Sequence, residues 1–62
     1  MKTAEATRKL SREGCYFLEN GTNHAWWYSP ITKLKFQVPR HQSHELEIKT
    51  RKSIEKFSGV KL

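Results

Sequence analysis

Residues Leu34-Lys35-Phe36-Gln37-Val38-Pro39 alternate apolar and polar side chains with a period of two, the repeat of a strand and not of a helix. Such a strand has an apolar face, here Leu34, Phe36 and Val38, and a basic polar face carrying Lys35 and Gln37. The first needs a covering layer, and the second stays open to solvent or to a ligand. Pro39 ends the run because proline has no N–H to give to a ladder. In a chain of 62 residues there is material for one such layer and one small core, so residues 1–62 read as a single domain.

Turn and cap signals divide the rest of the chain. Thr3 to Glu13 favours helix, with Thr3 as N-cap, Gly14 as the stop, and little beyond Ala6 and Leu10 to face a core. Cys15 to Leu18 is short, aromatic and β-favouring. The Asn20-Gly21 pair, whose residues both tolerate positive φ, predicts a tight hairpin turn, followed by a strand from His24 to Tyr28 that Ser29-Pro30 stops. Pro39 to His44 contains no apolar side chain beyond the proline and reads as a loop. A last helix starts at Leu46 or Lys49 and runs to Ser58, with Ile54 and Phe57 turned inward and Gly59 as its stop. The order α-β-β-β-α gives an α+β fold: a three-stranded antiparallel sheet with two helices on one face, the architecture of a double-stranded-RNA-binding domain.

Charge narrows the function. Lys and Arg number 12 against 6 Asp and Glu, a net charge of +6, which points to a polyanionic partner. Lys33, Lys35 and Arg40 cluster on and after the third strand, and Lys49, Arg51, Lys52, Lys56 and Lys61 crowd the C-terminal segment. The single cysteine, Cys15, can form no internal disulfide and reads as a small apolar residue. The histidines, at 24, 41 and 44, have no ligand spacing and no acidic cluster beside them, so neither a metal nor a cofactor is expected. No stretch is apolar enough to span a bilayer and no export signal opens the chain, so the expected setting is the reducing cytoplasm.

The position that carries chemistry is His24, just after Gly21-Thr22-Asn23. An imidazole ionises at about pH 6.5 when free and moves protons without a cofactor. RNA cleavage needs a base to take the 2′-hydroxyl proton, donors for the phosphoryl oxygens, and an acid for the leaving oxygen. His24 suits the base or the acid. The backbone N–H groups of Gly21, Thr22 and Asn23, with the Thr22 hydroxyl and the Asn23 amide, suit an anion nest, and Lys33, Lys35 and Arg40 suit charge neutralisation. His41 reads as a structural or substrate-positioning residue ahead of a catalytic one, and the second proton transfer is left open among His41, Lys35 and water; His44 has no assigned role. Strand alternation leaves two arrangements: either Ala25 and Trp27 pack inward and His24, Trp26 and Tyr28 lie open for base stacking, or Trp26 and Tyr28 are core.

Gly14 before a short strand, Gly21-Thr22-Asn23-His24, Val38-Pro39-Arg40-His41, Glu45-Leu46, Thr50, Ile54 and Gly59-Val60 together resemble the HicA toxin family over nearly the whole chain. The resemblance implies a metal-independent endoribonuclease acting on mRNA, with His24 as the catalytic residue. It also implies a HicB-like antitoxin partner that covers the active site, with a heterotetramer among the assemblies expected. The chain departs from the family in two places: its first helix is poorer in bulky apolar residues, and Glu55 and Ser58 stand where members often carry apolar ones. The competing reading is a non-catalytic double-stranded RNA-binding module, and behind it a protein-binding adaptor whose basic face meets an acidic partner.

Overall fold

A computed structural model describes all 62 residues. The elements are α1 (Thr3–Arg12), β1 (Tyr16–Asn20), β2 (His24–Ser29), β3 (Leu34–Pro39) and α2 (Ile48–Ser58). The strands pair antiparallel in the order β1-β2-β3. Ala25, Trp27, Phe36 and Val38 lie on one sheet face and share a buried cluster with Ala6 and Leu10 of α1 and Ile54 of α2, so both helices cover the same side. Leu10, Val38 and Ile54 are almost completely buried. Burying each such side chain contributes about 1.5–3 kcal/mol, which matters in a core this small. No helix is long and apolar enough to cross a membrane.

α1 is too short to persist alone and is fixed at both ends by its surroundings. Its N-terminus differs from the expectation that Thr3 caps it. Thr3 is already helical and buried, and its hydroxyl donates to the His44 carbonyl (3.1 Å). The free N–H groups of the first turn are taken by the following loop instead, Thr3 donating to the His44 carbonyl (2.9 Å) and Ala4 to that of Gln42 (3.0 Å). The polar segment 39–44 therefore acts as a cap supplied from a distance. The other end follows local rules: Gly14 has φ +99°, its N–H donates to the Ser11 carbonyl (3.1 Å), and the Cys15 N–H donates to that of Leu10 (3.0 Å). Cys15 is buried against the core as an uncrosslinked thiol.

The β2–β3 turn and the end of α2 hold each other. Buried Ser29 donates its hydroxyl to the Ser58 carbonyl (2.5 Å) and accepts from the Ile31 N–H (3.2 Å), while the Thr32 hydroxyl donates to the Phe57 carbonyl (2.5 Å). Two carbonyls left open at the helix end are thereby satisfied. Gly59 follows at φ +74°, and a Cβ there would stand 3.0 Å from Ile31 and Thr32 side-chain carbons. Glu55 and Ser58 also fit this arrangement: the Glu55 carboxylate accepts from the Leu62 N–H (2.7 Å) and the Ser58 hydroxyl from that of Val60 (3.1 Å). They tie the C-terminal segment across the core, where apolar side chains would have packed. Phe57, expected inward, is 41% exposed. Ile54 takes the core-facing position on α2, leaving Phe57 at the rim.

Candidate functional site

The β1–β2 hairpin positions the site. Its strands pair from Tyr16↔Tyr28 to Asn20↔Ala25, with a bulge at Leu18 that shifts the register between Phe17 and Glu19. The tight turn expected at Asn20-Gly21 lies further on: Asn20 belongs to β1, Gly21 is not at positive φ, and the chain reverses over Thr22 and Asn23. Gly21 sits in a tight space. A Cβ there would meet the His24 carbonyl oxygen and the Trp26 indole nitrogen, each at 3.1 Å.

The same geometry corrects the nest. The Gly21 N–H donates to the His24 carbonyl (2.7 Å) and is unavailable to a ligand. Without a left-handed residue the turn does not form the concave αR-αL cradle of a nest. The N–H groups of Thr22 and Asn23 make no backbone hydrogen bond, and both side chains are exposed, so two donors remain beside His24.

His24 opens β2 opposite Pro39, where the ladder ends. Ala25 and Trp27 are buried, so His24, Trp26 and Tyr28 occupy the sheet face away from the helices, the first of the two arrangements left open by the sequence. The His24 ring is exposed and takes no part in the side-chain hydrogen bonds of the fold. Across the same face, Tyr16 and Tyr28 rings lie 5.5 Å apart and the Lys35 ammonium stands 5.2 Å from the Trp26 ring centre. A cation held over an indole is attracted by the ring's negative face, which keeps Lys35 beside His24's strand.

A groove of about 470 Å³ wraps around the β3 edge from this face to the side of α2, bounded by His24, Trp26, Lys35, Lys49, Ser53 and Phe57. Its charged groups are two lysines, with an imidazole beside them and no carboxylate in the lining. It offers positive potential, hydroxyl donors from Thr50 and Ser53, and aromatic surface. That combination suits a phosphodiester whose bases stack nearby.

Of the residues expected at the site, His24, Thr22 and Asn23 gather at this end of the sheet, whereas Lys35 pairs with Tyr28 towards the other end and its ammonium reaches Trp26 in the groove that His24 also lines. Lys33 does neither. It precedes Leu34, which pairs with Ser29 at the opposite end of the ladder, roughly 17–20 Å away at the rise of a strand. It is also in the β2–β3 turn at φ +61°, which fixes it as a turn residue. Arg40 is adjacent to Pro39, yet alternation places it with Phe36 and Val38, and it lines a second groove on the helix side. His41 is exposed in the loop, its ring 4.9 Å from that of His44 and outside the His24 groove. No third ligating side chain joins that histidine pair.

Sequence reasoning missed the contribution of α2. Lys49, Ser53 and Phe57 recur every four residues and form one stripe along the groove. The spacing is visible in the sequence, but assigning Phe57 to the core turned that stripe inward. Comparison with family models, curated proteins and solved structures finds no match to this chain.

Proposed function

We propose that the chain is a HicA-like toxin, a metal-independent endoribonuclease that cuts mRNA and is restrained by a HicB-like antitoxin covering the groove. The observation that carries this reading is the exposed, unengaged His24 imidazole at the rim of a groove whose charged side chains are Lys35 and Lys49. His24 takes the proton of a ribose 2′-hydroxyl as the 2′-oxygen attacks the adjacent phosphorus. The 5′-oxygen leaves, a 2′,3′-cyclic phosphate forms, and the leaving oxygen receives a proton from Lys35, Lys49 or water. Lys35, Lys49 and the free N–H groups of Thr22 and Asn23 stabilise the charge that gathers on the phosphoryl oxygens. Trp26 and Tyr28 offer stacking surface to flanking bases.

General acid–base catalysis contributes about 10²–10⁴-fold. His24→Ala therefore lowers RNA cleavage by that factor while leaving RNA binding nearly unchanged. If His24→Ala and wild type neither cleave nor differ in RNA affinity, the chain is an RNA-binding module, and if neither binds RNA, it is a protein adaptor.

A further inference from the structure

A second groove, about 500 Å³, lies on the helix side of the sheet between α1 and β1. It exists because of side-chain size. Ala4, Thr7 and Ser11 of α1 line it and are too small to fill the space, so β1 stays uncovered and Phe17 is 49% exposed. The shortage of bulky residues in α1 thus opens a cavity. Its floor is the cross-strand pair Phe17↔Trp27, with rings edge to face at 6.5 Å and 78°. Arg8 and Arg40 line the walls, and no carboxylate does. Neither arginine is in an ion pair, since the one in the structure joins the Met1 amine to Glu45.

An aromatic floor beside two uncommitted guanidinium groups matches a nucleotide, the base against the ring and the phosphate in the planar forks. An acidic peptide would satisfy the arginines and leave the ring unused. The groove also adjoins the proposed cleavage site. Ala25 lines it, and the neighbouring residue, His24, lines the other groove from the opposite sheet face. Resting on the ribonuclease reading, we propose that the α1–β1 groove is a subsite for a nucleotide flanking the scissile bond. The substrate is then single-stranded RNA whose backbone crosses the hairpin tip, because a base paired within a duplex cannot enter.

The test uses the His24→Ala protein, which binds without cutting, and a short labelled oligoadenylate. Adding Arg8→Gln and Arg40→Gln weakens binding by about 10-fold and lowers the slope of log affinity against log salt by about 1.4, at about 0.7 per phosphate contact on a single strand. Arg12→Gln with Lys61→Gln removes the same charge outside the groove and leaves that slope nearly unchanged. Both arginines are exposed, so the fold survives their replacement. Binding also shifts the Phe17 ring resonances in the NMR spectrum. The subsite is overturned if the arginine pair behaves like the control pair, if the Phe17 resonances stay still, or if a polyglutamate peptide moves them as oligoadenylate does. Cleavage of the same oligonucleotide by wild type separates the two readings. Cleavage with no arginine effect sinks the subsite alone, and an arginine effect without cleavage sinks the ribonuclease and leaves a nucleotide-binding groove.

Discussion

His24 owes its place to three neighbours that contribute no chemistry of their own. Gly21 holds the His24 carbonyl, Pro39 ends the ladder opposite it, and buried Ala25 commits the next side chain to the core, which turns the imidazole outward. Gly21 is the sensitive one. Gly21→Ala brings a methyl to 3.1 Å from both the His24 carbonyl and the Trp26 indole, so one must move. The expected cost in stability is about 1–3 kcal/mol by chemical denaturation, together with a fall in cleavage rate as the His24–Trp26 geometry shifts. The histidine was legible in the sequence because its residue type and its place after a turn both mark it. The reason for Gly21 was not, since the contact involves Trp26, which comes into range only once the hairpin has folded.

At the scale of elements, α2 carries charge against its dipole at its N-terminal end alone, since Lys56 in the last turn is favourably placed. Its first turn holds Lys49 and Arg51 and no acidic residue, at the end where the helix dipole favours negative charge; α1 places Glu5 there. An anion in the groove relieves this conflict. Lys49→Glu should raise stability by about 0.3–1 kcal/mol in thermal unfolding while weakening RNA binding, and loss on both measures would count against the account. The other end of α2 depends on Ser29. Ser29→Ala leaves the buried Ser58 carbonyl and the Ile31 N–H without their partner, a loss of about 1–3 kcal/mol readable by urea denaturation. Strand β3 and the glycine stops at Gly14 and Gly59 were legible because alternation and left-handed backbone are local properties. The cap of α1 and the Ser29 bond were not, because each joins residues far apart in sequence.

For the molecule as a whole, one loop links the first helix to the sheet, and it is pinned partly by charge. The Glu45 carboxyl accepts from the N-terminal amine, and that hydrogen bond, then the amine's charge and that of Lys2, hold it below the ordinary value of 4.5. A depressed carboxylate stabilises the fold above its ordinary value and loses that contribution as pH falls through the lower folded value. Glu45→Gln should therefore flatten the acid limb of a stability–pH profile. The sites themselves were only half legible. Residue type singled out His24 as a candidate, but which cations share its groove depends on which face and which end of the sheet each occupies; Lys33 and Arg40 were lost on those two counts, and Lys49 was gained. The central claim is that the His24 imidazole itself moves the proton. Its most direct test is single-turnover cleavage of a labelled RNA by His24→Gly with and without added imidazole, in the presence of a metal chelator. The account predicts loss of cleavage on substitution, partial return with imidazole, and a 2′,3′-cyclic phosphate on the product; a His24→Gly protein that cuts at the wild-type rate contradicts it.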